Sequence, residues 1–276
     1  MRVWLSCLAL ILLSVAAFAD KNIVDFNPVG GHGGYWPAPG NYQGGTMWTA
    51  QADPMDIWTQ PLVSEHSKGR YKLYILAGAS DCSPSETQIE ICLGNVIIPA
   101  KWKTTQVPQW VGPFEIASNN KFNAIQLRFN GCVAVDALYL KTAADQTLPM
   151  EQSNISKPIA VGNWESIWVD FADSHLHPAW FSEKNKVNIR VRSNSTLAGE
   201  KVKAKCIILD YDHKPVRTQQ WQLVLTGKPQ QTFLNINVPI KYGPYLPRFT
   251  LESSNFKQEY QYVVARVQTP LNFIGD

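Results

Sequence analysis

The sequence has almost no long apolar runs, and the one it has lies at the N-terminus. Leu8–Val15 is mostly apolar, Arg2 precedes it, and Ala17-Phe18-Ala19 follows it. This order of positive, apolar and small residues is typical of a secretory signal peptide, here cleaved after Ala19. We therefore expect residues 1–19 to be removed and the protein to be secreted to the extracellular space, or to the periplasm of a bacterium. No later stretch approaches the roughly 18 apolar residues of a membrane span, so we expect no membrane insertion.

Clusters of basic residues are also missing. The 25 Lys and Arg residues nearly balance the 22 Asp and Glu residues, for a net charge of +3, and they form no dense patch of the kind that neutralises phosphates. A nucleic-acid partner is therefore not expected. Charged residues make up 17% of the chain and apolar residues 45%, so the chain can bury sizeable cores and is not expected to be disordered.

Cysteine is scarce, and no Cys-x-x-Cys motif exists, which argues against a structural zinc site. Cys82, Cys92, Cys132 and Cys206 follow the signal peptide, and an oxidising compartment permits disulfides among them in several pairings. Cys82 and Cys92 flank a short Ser-Pro-Ser loop, so we expect a local bridge between these two. Cys206 alternates in phase with apolar neighbours and is expected to be a buried free thiol.

Helical periodicity is absent, and alternation of apolar and polar residues at period two recurs instead. It occurs in residues 125–129, 187–192 and 234–238. Such strands have one buried face and one wet face, as antiparallel sandwiches require. The fold class is therefore expected to be all-β, with two consecutive antiparallel β-sandwiches. We place the first in residues 20–143, a linker in 144–159 and the second in 160–276.

Three segments of the first half carry a resemblance to a known family. Gly69–Ala77 is similar to a G-x-Y-x-L-x-x-x-A strand, Asn123–Leu127 to an N-x-I-x-L strand, and Val133–Leu140 to a closing x-x-I-D-x-I-x-L strand. In this order they resemble the carbohydrate-binding modules with a galactose-binding-like jelly roll. The resemblance implies a sugar-binding sandwich, with ligand residues in loops at one rim or on a concave sheet face.

Aromatic residues give an independent reason to consider a sugar ligand. An exposed ring can stack on the apolar C–H face of a pyranose, while polar side chains bind its hydroxyl rim. Tyr35, Trp36 and Trp110 are flanked by glycine or proline and are our candidates for stacking, whereas Trp58 alternates with core residues. By resemblance, Asn130 occupies the position of a binding asparagine just before the last strand.

The same resemblance implies a structural calcium ion. Asp136 matches the aspartate of the closing strand, and Asp25 is the nearest substitute for the acidic residues of the first strand. Calcium takes six or more oxygen ligands, and only these two candidates are visible. The alternative is that Asp136 caps a turn or forms a surface hydrogen bond. No cofactor is required in either case.

The second half resembles the immunoglobulin-like domains that precede the barrel of large glycoside hydrolases. Asp210–Lys214 is similar to their D-x-D-G-K turn, with His213 in place of the usual glycine, and Gly243–Phe249 is similar to their G-x-Y-x-x-x-F/L strand. The resemblance implies a second sandwich that acts as a spacer.

Catalytic motifs are missing. There is no Gly-x-Ser-x-Gly elbow, no His-Glu-x-x-His helix and no phosphate-binding glycine loop. A glycosidase needs two carboxylates across a cleft, and each half is already accounted for by a sandwich. We therefore expect a non-catalytic, secreted carbohydrate-binding accessory protein whose partners are a polysaccharide or glycan and a glycoside hydrolase. Two alternatives remain open: the N-terminal non-catalytic part of a truncated glycoside hydrolase, and a secreted protein-interaction or adhesion protein.

Overall fold

The structure is a computed structural model that describes most of the chain in segments. It describes residues 22–26, 28, 33–37, 46–50, 57–79, 83–130, 132–149, 155–161, 167–171, 179–181, 186–262 and 264–267. For strand residues 33–37, 46–50, 130 and 179–181 it describes the backbone alone. The signal peptide predicted at residues 1–19 lies outside these segments.

The described residues form strands and no helix, so the all-β prediction is confirmed. It follows that this part of the chain offers no helix that could cross a membrane.

The first half of the chain supplies two sheets. One has six strands in the order β2-β3-β10-β5-β8, with β1 paired to β10, and the other has four in the order β4-β9-β6-β7. The ten strands are β1 (Ile23–Asp25), β2 (Gly33–Pro37), β3 (Thr46–Ala50), β4 (Ile57–His66), β5 (Gly69–Gly78), β6 (Glu86–Leu93), β7 (Val96–Lys103), β8 (Gln109–Ser118), β9 (Phe122–Asn130) and β10 (Val133–Thr142). Every strand pair in these sheets is antiparallel.

The second half supplies two further sheets. One has the order β11-β13-β16, and the other β12-β19-β17-β14-β15 with β18 paired to β17. The strands are β11 (Ile167–Phe171), β12 (Ala179–Phe181), β13 (Lys186–Ser193), β14 (Lys201–Leu209), β15 (Pro215–Val224), β16 (Gln230–Asn237), β17 (Gly243–Glu252), β18 (Lys257–Gln261) and β19 (Val264–Val267). The pairing of β12 with β19 is parallel.

Each pair of sheets encloses an apolar core built from the alternating residues. In the first pair, Ile125, Leu127 and Phe129 of β9 are buried with Trp58, which is fully enclosed as predicted. The second core collects the inward residues of β11, β13, β14 and β17 in the same way. Burial of one apolar face per sheet supplies the main driving force for both sandwiches.

Residues 155–159 lie along the first sandwich. The N–H of Ser156 donates to the carbonyl of Trp110 (2.7 Å), and the N–H of Ile159 donates to the carbonyl of Lys101 (2.7 Å). This part of the segment between the two halves is therefore held against β7 and β8.

The predicted Cys82–Cys92 bridge is wrong. Cys92 is a free, fully buried thiol at the end of β6, where its Sγ donates to the carbonyl of Gly94 (3.7 Å) and accepts from Nη1 of Arg192 (2.5 Å). Cys92 lies near the end of β6 that is remote from residues 83–85, and it is buried in the contact between the two halves. Among the described cysteines, Cys132 takes part in a disulfide, and its partner lies outside the described residues. Cys206 is a buried free thiol, as expected.

Candidate functional site

Three of the predicted sugar-binding residues lie where the structure describes only backbone. Tyr35 and Trp36 are in β2, opposite Trp48 and Met47 of β3. Asn130 is the last residue of β9. The structure does not describe their side chains, so these three assignments stay predictions.

Trp110 is not a stacking platform, and its assignment as one is wrong. Its side chain is 2% exposed and packs with Tyr74, Leu76 and Tyr139 on the outer face of the six-stranded sheet. The rings of Trp110 and Tyr139 meet edge to face, with centroids 6.2 Å apart. Ile155 packs against this cluster, because the 155–159 segment runs over it.

The two candidate calcium ligands lie on neighbouring strands. Asp25 is exposed on β1 opposite Ala137, whereas Asp136 is 2% exposed on β10. Burial raises the pKa of Asp25, although a backbone hydrogen bond from Phe26 opposes the shift. Within the described segments, no three His, Cys, Asp or Glu residues gather into a group that could hold a metal ion. The calcium site stays a prediction.

Among the described side chains, exposed aromatic rings occur in the second sandwich, and two of them line a groove of about 410 Å³. Tyr211 is 78% exposed and Tyr242 is 52% exposed, and the apolar side chain of Ile240 beside them is 80% exposed. We call this feature the tyrosine groove. Its lining consists of Asp210, Tyr211, Asp212, Val216, Arg217, Pro239, Ile240, Lys241, Tyr242, Gly243, Pro244 and Tyr245.

A tight turn between β14 and β15 forms one wall of the tyrosine groove. Oδ1 of Asp210 accepts the N–H groups of Asp212 (3.0 Å) and Lys214 (2.8 Å). His213 has φ = 60°, the left-handed conformation that glycine favours. Because Asp210 braces the turn, Tyr211 and Asp212 are presented to solvent by a fixed backbone.

The connection between β16 and β17 forms the other wall. It carries Ile240, Lys241 and Tyr242, and the hydroxyl of Tyr245 donates to the carbonyl of Lys241 (2.6 Å). The groove thus combines two exposed phenol rings with the exposed carboxylate of Asp212 and the cations of Arg217 and Lys241. Sequence reasoning missed it because tyrosines in short turns carry no signal beyond the turn itself.

A second polar site lies where the two halves meet. Asp170 of β11 accepts Nε (3.0 Å) and Nη2 (2.5 Å) of Arg190 and Nη2 of Arg192 (2.9 Å). It also accepts Nε2 of Gln126 from β9 of the first half (3.1 Å). We call these four residues, together with Cys92, the junction network.

Electrostatics keep the carboxylate of the junction network ionised. Burial opposes the charge on Asp170, but the guanidinium groups of Arg192 and Arg190 more than offset it and hold its pKa below the usual range. Burial raises the pKa of Cys92, so its thiol stays neutral. The buried Arg192 and the partly exposed Arg190 therefore share one buried anion.

A further ion pair lies beside this network. Nη1 of Arg128 is 3.0 Å from Oε2 of Glu90, and the guanidinium carbon lies 5.4 Å from the ring centroid of Tyr260 in the second half. Glu90 is 1% exposed and lies directly across from Arg128 in the antiparallel pairing of β6 and β9.

A small cleft of about 150 Å³ opens over the junction network. Its walls carry Asn120, Lys121 and Asn123 from the first half and Gln231 from the second, and its floor includes Gln126, Arg190 and Arg192. Lys121 is exposed and paired with Glu65 at 2.9 Å. The cleft is thus polar and positively charged.

Comparisons with known proteins give limited similarity. No family model matches the chain, and no curated protein matches it. Among solved structures, a β-glucuronidase of Parabacteroides merdae is 10% identical with a TM-score of 0.26, over 76% of this chain and 27% of that one. A β-glucuronidase of Bacteroides uniformis is 12% identical with a TM-score of 0.27, over 76% and 26%. A glycosyl hydrolase family 2 member of Bacteroides cellulosilyticus is 10% identical with a TM-score of 0.25, over 88% and 36%.

This chain therefore spans roughly a quarter to a third of the length of those solved chains. At these identities and TM-scores, the similarity assigns neither a family nor an activity to this chain.

Proposed function

We propose that this chain is a secreted, non-catalytic carbohydrate-binding protein and that its glycan lies in the tyrosine groove. The observation that carries the proposal is the pair of exposed rings, Tyr211 and Tyr242, which line one groove together with acidic and basic side chains. The proposed site therefore lies in the second sandwich, whereas sequence reasoning looked for it in the first.

The chemistry of the groove suits a pyranose. A phenol ring offers an apolar face for the C–H groups of the sugar and a hydroxyl for its rim. Asp212 can accept hydrogen bonds from sugar hydroxyls, and Arg217 and Lys241 can donate to their oxygens. Tyrosine also loses little conformational entropy on binding, and the braced Asp210 turn reduces that cost further.

The direct test is affinity electrophoresis of the full chain on a panel of neutral plant and microbial polysaccharides. We expect at least one polysaccharide to retard the protein, and we expect Tyr211→Ala and Tyr242→Ala each to weaken that retardation about tenfold. Loss of a stacked ring costs on the order of 1.4 kcal/mol, which corresponds to this factor.

The matched control is Phe233→Ala, which removes another exposed aromatic ring, 54% exposed, on β16 of the other sheet. This variant should migrate like the wild type. If Phe233→Ala abolishes retardation and the tyrosine variants do not, the groove is not the site. A loss confined to Trp36→Ala would move the site to the first sandwich.

One observation favours a second candidate function. Ile240 and Val216 expose apolar side chains in the groove, at 80% and 43%, as a protein-binding surface would. A glycan array that retains no glycan would support a protein-interaction role over carbohydrate binding.

A further inference from the structure

The charges of the junction network do not balance. Arg190 and Arg192 both pair with Asp170, and no other carboxylate pairs with either of them among the described residues. Glu90 forms an ion pair with Arg128, and Glu65 forms one with Lys121. Because a buried ion without a counter-ion is costly, one excess positive charge beneath an open cleft calls for an anion.

The hydrogen-bonding groups at the floor of the cleft are also incomplete. Arg192 is 5% exposed, and its Nε has no hydrogen-bond partner within the described residues. Gln126 is 2% exposed, and its Oε1 also has no hydrogen-bond partner there. Both residues line the cleft. The open Nε–H of Arg192 is a donor, so the group that completes it is an acceptor, such as the oxygen of an oxyanion.

We propose that this cleft binds a small oxyanion, either a carboxylate or a phosphate. Planar guanidinium groups match the geometry of both, and the Lys121 ammonium at the rim adds charge. The amides of Asn120 and Gln231 can contact hydroxyl groups that such a ligand carries. The site draws residues from both halves of the chain, so it exists only when the two are docked. It is separate from the tyrosine groove and does not depend on the proposed function.

The experiment is isothermal titration of the full chain with acetate, inorganic phosphate and galacturonate, at constant ionic strength held with sodium chloride. Galactose serves as the neutral counterpart of galacturonate. We expect saturable binding of at least one of the three anions and none of galactose. The anion that binds most tightly identifies the class of ligand.

Two variants test the site itself. Arg190→Gln removes the excess charge and should weaken binding about tenfold, as loss of a charge-assisted contact does. Lys121→Gln should weaken it several-fold and is exposed enough to leave folding intact. The matched controls are Arg248→Gln, an arginine paired with the amide of Gln261, and Lys72→Gln, another lysine paired with an exposed glutamate. Both controls should bind like the wild type.

Lack of saturable binding for all three anions would overturn the proposal. Binding that Arg190→Gln and Lys121→Gln leave unchanged would do so as well. Tyr211→Ala should bind the anion normally, so failure of this proposal and failure of the tyrosine groove are distinguishable.

Discussion

At the scale of single residues, the backbone of the Asp210–Lys214 turn shows how a non-glycine residue can occupy a glycine position. His213 has φ = 60°, where the Cβ atom of an L-residue crowds the carbonyl that follows it. The turn nevertheless closes, because the Asp210 side chain accepts two backbone N–H groups. The backbone N–H of Asp210 also donates to the carbonyl of Lys214 (3.0 Å). Hydrogen bonding thus stabilises a conformation that the residue itself disfavours.

We expect His213→Gly to raise the free energy of unfolding by roughly 0.5–1 kcal/mol. Relief of about 1–2 kcal/mol of left-handed strain outweighs the greater entropy of the unfolded glycine chain, which is worth about 0.4–1 kcal/mol. Urea denaturation followed by fluorescence measures it. Gly199→Ala is the converse control and should destabilise the protein, because Gly199 has φ = 80°, a conformation that alanine disfavours. A Cβ there meets no other atom within 4 Å, so the change tests backbone conformation alone. A less stable His213→Gly protein would show that the imidazole supports the turn.

We also expect a Cys82–Cys132 disulfide. Cys132 is disulfide-bonded, while Cys92 and Cys206 are free. Cleavage after Ala19 would remove Cys7, which leaves Cys82 as the remaining partner. Peptide mapping of the non-reduced protein should find this cross-link, and Cys92 and Cys206 should react with iodoacetamide only after unfolding, because both are buried. Recovery of a Cys92 cross-link would contradict the assignment.

At the scale of elements, β8 approaches β5 so closely that one position excludes any side chain. A Cβ atom on Gly112 would lie 2.8 Å from Cδ1 of Tyr74 and 2.9 Å from the carbonyl of Leu73, and Gly112 has φ = 149°. The register of the two strands shifts at this point, between Leu73 and Ile75. Glycine is therefore required by both space and backbone conformation.

Gly112→Ala should lower the free energy of unfolding by about 2–3 kcal/mol, since backbone strain and overpacking each cost on the order of 1–3 kcal/mol. Gly69→Ala in β5 is the matched control. Its Cβ would meet only ordinary contacts at 3.6 Å, so a change within about 0.5 kcal/mol is expected. Equal denaturation midpoints for the two variants would argue against the close approach.

The outer faces of β9 and β13 behave differently from what their alternation predicts. The inner residues are buried as expected, but the polar residues Gln126, Arg190 and Arg192 lie in the contact between the halves rather than in water. Alternation reports which residues share a face of a strand, but it does not report what covers the polar face.

At the scale of the whole molecule, the two sandwiches are joined by buried polar contacts as well as by apolar ones. Ile57, Cys92 and Ile97 of the first half belong to the same apolar cluster as the second core. Nδ2 of Asn194 donates to the carbonyl of Ile97 (2.8 Å), which ties β7 to the end of β13. Contacts of this extent favour cooperative unfolding of the two halves.

Asp170→Asn should destabilise the protein by about 3–5 kcal/mol, because it leaves the buried Arg192 and the partly exposed Arg190 without a counter-ion. Arg190→Gln should lower the free energy of unfolding much less, since Arg192 still pairs with Asp170.

The folded-state pKa of Asp170 is depressed. The contribution of its ionised carboxylate to stability is therefore complete above its ordinary pKa of 3.8 and is lost as the pH falls through the lower folded value. Wild-type stability in urea should therefore fall below about pH 4, and part of that fall should be absent in Asp170→Asn. Similar losses for Asp170→Asn and Arg190→Gln would refute the unequal charge balance.

Much of the architecture follows from the chain alone, because period-two alternation directly sets which residues face a core. The all-β class, the enclosed Trp58 and the free Cys206 thiol follow from that local rule. Tertiary structure decided what lies against each outer face. It buried Trp110 under the 155–159 segment, drew Cys92 into the junction network, and left Tyr211 and Tyr242 exposed around one groove. These outcomes depend on contacts between residues distant in sequence, which no local pattern encodes.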